Sequence, residues 1–176
     1  MNIFTKAVHV GDRRKPGPHI PVTAPITTAS SYVYETMQQL DDVFAAPDSG
    51  YCYARYDNPT NSGLEELVTA LENGHGTLAC SSGMAALNAA IQTALLDRPK
   101  RIVAANALYG ATISLLDKLL DPFGVPTTYV DICDLGAVER AIAETKPGCV
   151  LLETISNPLL RVGAIDRIAP RVTSVA

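Results

Sequence analysis

The segment Ser81–Met84 contains the residue types that bind a phosphate group. It lies between a predicted short strand, Thr77–Cys80, and a long predicted helix. The first amide groups of such a helix are unpaired and carry a positive partial charge, which suits an anion. Glycine lets the main chain approach that anion closely, and the serine hydroxyls add donors. An ordinary helix cap with a tight turn is the alternative interpretation.

A second candidate pair, Tyr53 and Arg55, stands before this helical region. Arg55 offers a planar fork of donors to a phosphate or carboxylate, and Tyr53 places a phenol on the same side of an extended chain. From these residues alone, an exposed arginine in a salt bridge is the simpler interpretation.

Two further candidates each follow a predicted strand. Tyr109 brings an aromatic ring, and the segment Glu153–Pro158 brings the Glu153 acid and the Asn157 amide. In α/β proteins, ligands bind at the carboxyl ends of parallel strands. A tyrosine that only packs is the alternative for Tyr109. We expect all these segments to converge on one crevice.

The elements that must position these residues alternate between strands and helices from about residue 60 onward. A capping box at Ser62–Glu65 predicts the start of a helix that Asn73 and Gly74 close. Alternating strands and helices indicate an α/β fold with a parallel sheet. The remaining predicted strands are Arg101–Ala105, Thr127–Val130 and Cys149–Glu153, and the remaining predicted helices are Gly110–Leu120 and Leu135–Thr145.

Residues 1 to 60 have a different composition. Prolines favour an extended arm, with a short helix within Tyr32–Phe44. A disordered tail is the alternative, but its tyrosines argue for an arm that packs on something, such as another subunit. The prolines are Pro16, Pro18, Pro21 and Pro25, and the tyrosines are Tyr32, Tyr34, Tyr51, Tyr53 and Tyr56.

Composition excludes several classes of protein. The 176 residues carry a net charge of −4 with acids and bases scattered, which is unlike a nucleic-acid-binding surface. No apolar run is long enough for a membrane span, and the first residues have no continuous apolar stretch before their charges, so a signal peptide is not expected. The four cysteines form no C-x-x-C pair, so we expect packed thiols in a reducing cytoplasm and no metal site.

Without a G-x-G-x-x-G fingerprint, a nucleotide-binding oxidoreductase domain is a disfavoured alternative.

Taken together, the segments resemble the Cys/Met-metabolism enzymes that depend on pyridoxal 5'-phosphate (PLP), the family of cystathionine γ-synthase, cystathionine lyases and methionine γ-lyase. Order and spacing agree from about residue 5 to about residue 169. The resemblance implies an aspartate-aminotransferase-like (fold type I) large domain, partial here over residues 61–176, after an intersubunit arm over residues 1–60. The matching pieces are Tyr53–Arg55, Asn58–Thr60, Leu71–Gly74, Ser81–Ala86, Leu108–Gly110, Glu153–Thr154 and Ser156–Pro158.

The resemblance also implies roles for single residues around PLP. Ser82, Gly83 and Met84 would hold its phosphate, the last two through backbone amides. Tyr109 would stack on the pyridine ring and serve in proton transfer.

Two further contacts follow from the same resemblance. Tyr53 and Arg55 would reach the phosphate from the adjacent protomer. Asn157 would bond near the 3'-oxygen of the cofactor and the substrate carboxylate, with Glu153 a nearby acid.

The implied activity is carbon–sulfur chemistry on cystathionine, methionine or a homoserine ester, by α-proton removal and then β- or γ-elimination or replacement. It belongs to a full-length cytoplasmic homotetramer. The family continues to an aspartate for the pyridine nitrogen and to a Ser-x-Thr-Lys segment whose lysine forms the Schiff base. None of Lys6, Lys15, Lys100, Lys118 and Lys146 stands in that context.

The last residues depart from the family pattern, because Pro170 is expected to break the helix that follows Asp166. We therefore expect a truncated fragment that is inactive alone. The alternative is a non-catalytic product that only interacts with full-length subunits.

Overall fold

The computed structural model describes residues 2–10, 21–46 and 49–173. The chain forms two compact units, residues 1–79 and residues 80–176. The expectations that concern Lys15, Pro16 and Pro18 lie outside the described residues, as do those for residues 174–176. The prediction that residues 1–60 form an intersubunit arm stays a prediction.

The first unit contains the helices α1 (Ile3–His9), α2 (Met37–Ala45) and α3 (Pro59–Glu72). The Lys6 ammonium donates hydrogen bonds to the Ala70 carbonyl (3.0 Å) and to Asn73 Oδ1 (3.2 Å). Both acceptors lie at the C-terminal end of α3, where the helix dipole and unpaired carbonyls favour a cation. This contact joins α1 to the end of α3.

Helix α3 starts earlier than the sequence predicts, so the capping box at Ser62–Glu65 is wrong. Asn58 is the N-cap, since its side chain accepts from the Thr60 N–H at 2.9 Å, and Pro59 occupies the first helical position. Proline is favoured there because its φ is already helical and it needs no hydrogen bond. Ser62 lies inside the helix, buried, with its hydroxyl on the Asp57 carboxylate (2.7 Å).

Three of the tyrosines before α3 pack within the first unit. The Tyr34 hydroxyl donates to the Tyr51 carbonyl (2.8 Å) and accepts from the Tyr51 N–H (3.1 Å). The rings of Tyr32 and Tyr51 lie 5.7 Å apart between centroids. The short helix expected within Tyr32–Phe44 is confirmed as α2, which Thr36 and Gln39 begin with a true capping box.

The second unit is an α/β body around a parallel sheet, as predicted. Its strands are β1 (Ile102–Ala105), β2 (Thr127–Val130) and β3 (Cys149–Leu151), in the order β2-β1-β3. Ile102 of β1 pairs with Thr127 and with Cys149. Its α-helices are α4 (Gly83–Ala94), α5 (Gly110–Leu115), α6 (Leu135–Thr145) and α7 (Ile165–Thr173).

No helix in the described part of the chain is long and apolar enough to cross a membrane.

The core of the second unit lies around the central strand. All four residues of β1 are buried, because strands flank it on both sides and helices cover its faces. Gly148 is required just before β3, since any Cβ there would collide with the Pro99 carbonyl. The side chains packed around β1 include Ile91, Leu95, Leu116, Val138, Ile142 and Ile168.

Two predicted elements differ from the structure. The predicted helix Gly110–Leu120 is helical throughout, but it changes from α to π geometry at Leu116 and continues as a 3-10 turn over Asp121–Phe123. The predicted strand Thr77–Cys80 is absent, because these residues pair with none of the three described strands. Cys80 and Cys133 are both exposed, so the expectation of packed thiols is wrong at these two positions.

Pro170 does not break the last helix, so this expectation is wrong. Helix α7 runs from Ile165 to Thr173 with Pro170 inside it. A proline in a helix removes one hydrogen bond, but packing stabilises this segment: Ile168 is fully buried and Val172, one turn later, packs against the same core.

Candidate functional site

The start of α4 presents two free main-chain donors. Ser82, the N-cap, accepts the Ala85 N–H with its hydroxyl (3.1 Å) and the Ala86 N–H with its carbonyl (3.0 Å). The amides of Gly83 and Met84 donate to no acceptor among the described residues. Because the helix dipole points its positive end here, these two N–H groups can bind an anion.

This helix start lines a cavity of about 530 Å³ within the second unit. Its lining combines leucine side chains with a few polar residues. The lining residues are Ser82, Gly83, Met84, Leu87, Leu108, Tyr109, Thr112, Leu151, Leu152 and Glu153. A cavity with apolar walls and a few convergent polar groups is typical of a small-molecule site.

Tyr109 lies in the turn between β1 and α5. Its side chain is 52% exposed, and its hydroxyl makes no hydrogen bond with any described residue. The alternative of a tyrosine that only packs therefore does not hold in this structure. An exposed aromatic ring that lines the cavity can stack on a planar ligand.

Glu153, which follows β3, binds two main-chain amides with one carboxylate. Its Oε1 accepts the Tyr109 N–H at 2.8 Å, and its Oε2 accepts the Asn157 N–H at 3.1 Å. The carboxyl ends of β1 and β3 are therefore joined by this side chain.

Asp131 and Arg161 form a second junction at this edge, which sequence reasoning missed. The Arg161 guanidinium donates to Asp131 Oδ2 at 2.8 Å, and the Arg161 N–H donates to the buried Ser156 hydroxyl at 2.9 Å. The Cys133 N–H and the Arg161 side chain lower the pKa of the Asp131 carboxyl, while Asp131 raises the pKa of Arg161. The available signal was that Asp131 directly follows β2, at the same sheet edge as the other candidates.

Tyr53 and Arg55 lie in the first unit. The Arg55 guanidinium stands 5.0 Å from the centroid of the Tyr53 ring and 5.8 Å from that of Tyr56. The predicted extended conformation is wrong, because the N–H groups of Tyr56 and Asp57 both donate to the Tyr53 carbonyl and close a turn. No carboxylate of a described residue pairs with Arg55, so its donors face solvent.

The second unit thus brings together six of the eight predicted site residues. Five of them line the cavity: Ser82, Gly83, Met84, Tyr109 and Glu153. Asn157 is tied to the same group through the Glu153 carboxylate, and its own side chain is exposed.

Comparison with known proteins gives the family. The family model described as Cys/Met metabolism PLP-dependent enzyme matches residues 4–175. The chain belongs to this family. Family members of this kind depend on PLP, and solved structures of similar proteins share the α/β, fold type I architecture.

Relatives within the Cys/Met-metabolism family carry several names. An L-methionine gamma-lyase of Fusobacterium nucleatum is 33% identical over 94% of this chain and 41% of its own length. An O-succinylhomoserine sulfhydrylase of Pseudomonas aeruginosa is 36% identical over 94% and 40%. The structure of cystathionine gamma-lyase from Lactobacillus plantarum with L-serine has a TM-score of 0.82 and 33% identity over 99% and 42%. The chain spans about two-fifths of the length of these relatives.

The cavity residues fit the phosphate and ring of PLP. The unpaired amides of Gly83 and Met84 match the anionic phosphate, and Tyr109 and the leucines match the aromatic ring. A Cβ built on Gly83 meets nothing within 4 Å, so the space beside the Gly83 Cα is open.

Proposed function

We propose that this chain supplies the phosphate- and ring-binding part of a PLP-dependent enzyme that makes or breaks carbon–sulfur bonds in amino acids. One observation carries the proposal: the free amides of Gly83 and Met84 share a cavity with the exposed ring of Tyr109. The names of the relatives, two lyases and a sulfhydrylase, support the reaction class. The substrate class we propose is a sulfur amino acid or a homoserine ester.

When bound, PLP withdraws electrons from the α-carbon of an amino acid and so makes its α-proton acidic. In this proposal, Ser82 fixes the start of α4, and the amides of Gly83 and Met84 hold the phosphate without any movement of the chain. Tyr109 would lie against the ring, and its unpaired hydroxyl would be available to accept or donate a proton.

In the same proposal, Asn157 would orient polar groups of the cofactor and the substrate. Its exposed amide has both a donor and an acceptor, which suits the 3'-oxygen of the cofactor and the substrate carboxylate together. Glu153 is the adjacent acid, and it accepts the main-chain N–H groups of Tyr109 and Asn157. The leucine walls exclude water from the reacting groups.

We also propose that Tyr53 and Arg55 complete the phosphate site of a neighbouring protomer in a homotetramer. The support is that Arg55, held beside two tyrosine rings, has no acid partner among the described residues. A guanidinium in that state retains its fork of donors for a phosphate.

A chimera tests the proposed function. Residues 1–169 of this chain would replace the matching part of the Fusobacterium nucleatum methionine gamma-lyase, which supplies the rest of the enzyme. We expect the chimera to bind PLP and to release a thiol from methionine or from a related sulfur amino acid. A folded chimera that neither binds PLP nor cleaves any such substrate would contradict the proposal.

The chain expressed alone should not turn over any of these substrates, because none of its lysines stands in a Ser-x-Thr-Lys segment. The same thiol-release assay, run with the isolated chain and added PLP, checks this. Sustained turnover above the rate of free PLP would show that this part of the proposal is wrong.

A further inference from the structure

We propose that Glu153 is a positioning residue, which holds Tyr109 and Asn157 through their main-chain N–H groups and does not itself touch the cofactor. This inference rests on the proposed function and assigns Glu153 a more definite role than that of a nearby acid. The groups involved are the Glu153 carboxylate and the main-chain N–H groups of Tyr109 and Asn157.

The geometry uses both carboxylate oxygens. Oε1 accepts from Tyr109 (2.8 Å) and Oε2 accepts from Asn157 (3.1 Å), so each oxygen is directed toward a protein amide. Hydrogen bonds from N–H groups to an ionised carboxylate are shorter and stronger than bonds between neutral groups. A carboxylate engaged in this way has both of its oxygens committed to the main chain.

The two amides come from different parts of the sheet edge. Tyr109 follows β1 and lies 44 positions before Glu153, which itself follows β3. Because β1 and β3 are neighbours, a carboxylate at the end of β3 can span both turns. It therefore holds the main-chain N–H groups of Tyr109 and Asn157 at a fixed separation.

The Tyr109 carbonyl is held by the start of α5, where it accepts from the Thr112 N–H (2.9 Å) and the Ile113 N–H (3.2 Å). No side chain caps this helix start, so the Tyr109 N–H depends on a different acceptor. Within the described chain, Glu153 is the one side chain that accepts the Tyr109 N–H. Loss of the carboxylate would leave this amide without its acceptor and allow the ring to move.

Substitution by glutamine separates this role from bulk. Gln has the shape of Glu but only one acceptor oxygen, and its NH2 group would face an N–H donor. Glu153→Gln therefore removes one of the two bonds and the charge. Glu144→Gln on α6 is the matched control, since Glu144 is exposed and its side chain makes no hydrogen bond or ion pair with the described residues.

The test combines two measurements on the full chain. Amide hydrogen exchange, followed by NMR, should speed up at Tyr109 and Asn157 in Glu153→Gln and stay unchanged in Glu144→Gln. Pyridoxine 5'-phosphate, which has no aldehyde and binds only non-covalently, should bind roughly tenfold more weakly to Glu153→Gln than to the wild type or the control. Unchanged exchange at both amides, or equal binding by all three proteins, would overturn the proposal.

Glu153→Asp is a second variant, which keeps the charge but shortens the side chain by one methylene. We expect it to lose protection at one or both amides and to bind pyridoxine 5'-phosphate more weakly as well. Wild-type exchange and binding in Glu153→Asp would mean that the two directed hydrogen bonds are not needed, and the positioning role would fall. A wild-type chain that does not bind the probe would instead refute the proposed function, while the exchange rates would still decide whether the clamp exists.

Discussion

The guanidinium of Arg161 donates a 2.8 Å hydrogen bond to the carboxylate of Asp131, and so links the loop after β3 to the residue that follows β2. Asp131 also accepts the Cys133 N–H at 3.0 Å with its other oxygen. With the Glu153 bonds, this pair means that side chains connect the carboxyl ends of all three described strands. The predicted site residues of the second unit lie along that connected edge.

The Asp131 contacts predict how stability depends on pH. The Cys133 N–H and Arg161 lower the pKa of the Asp131 carboxyl below its ordinary value of 3.8 in the folded state. A group whose folded pKa is lowered contributes stability above its unfolded pKa and loses it as pH falls through the folded value. We expect wild type to be more stable than Asp131→Asn above pH 3.8, and this difference to shrink below it.

Denaturant unfolding of both proteins across this pH range measures the difference in the free energy of unfolding. Asp97→Asn is the control, because Asp97 is exposed, has no described partner and has a φ of 56° that asparagine also tolerates. A difference between wild type and Asp131→Asn that does not vary with pH would contradict the linkage.

Asn58 should stabilise the first unit strongly. It is buried, caps α3, and donates to the carbonyls of Thr27 and Ala29 at 3.3 Å each. We expect Asn58→Ala to cost about 2 kcal/mol, because the helix loses its cap and the Thr27 and Ala29 carbonyls lose their donor. Asn61→Ala, at an exposed site on the same helix, should change stability by no more than about 0.5 kcal/mol. Equal effects, measured by tyrosine fluorescence during urea unfolding, would rule out the capping role.

Ser82 should act on both stability and anion binding. Ser82→Ala removes the acceptor of the Ala85 N–H, which should cost about 1 kcal/mol of unfolding free energy. It should also weaken the binding of pyridoxine 5'-phosphate, because the start of α4 loses its fixed geometry. Ser114→Ala on the exposed side of α5 is the control. Thermal unfolding and titration calorimetry check both effects, and tight binding by Ser82→Ala would count against this role.

The cysteines should differ in reactivity. Burial raises the pKa of the Cys149 thiol, whereas Cys133 is exposed. Since the thiolate is the reactive form, iodoacetamide should label Cys133 faster than Cys149 at neutral pH. Mass spectrometry of timed digests measures the rates, and denaturant should remove the difference. Equal labelling of the native chain would mean that Cys149 is not buried as the structure has it.

The central elements of the second unit could be predicted from the sequence because local signals and tertiary packing agree there. Thr127–Val130 and Leu135–Thr145 form at their predicted bounds, since apolar periodicity and the Asp134 cap point to the same result. The capping box at Ser62 failed because Asn58 and Pro59 provide a better start a turn earlier. Pro170 was misjudged because burial of Ile168, which no local rule contains, stabilises the helix around it.

The site was predictable in its residue types and less so in its connections. Strand ends and a helix start identify where Ser82, Tyr109 and Glu153 lie. Whether the Glu153 oxygens face a ligand or the amides of the Tyr109 and Asn157 turns depends on the three-dimensional path of two loops. Spacing along the chain does not encode that path.

The most direct test of the account is the binding of pyridoxine 5'-phosphate to wild type and to Gly83→Pro. Proline is favoured at this first helical position after an extended Ser82, so the variant removes one amide while α4 is preserved. Gly83→Ala keeps the amide and serves as the control. We predict that wild type and Gly83→Ala bind the probe, and that folded Gly83→Pro binds it roughly tenfold more weakly. Equal binding by all three, or no binding by the wild type, would contradict a phosphate site at the start of α4.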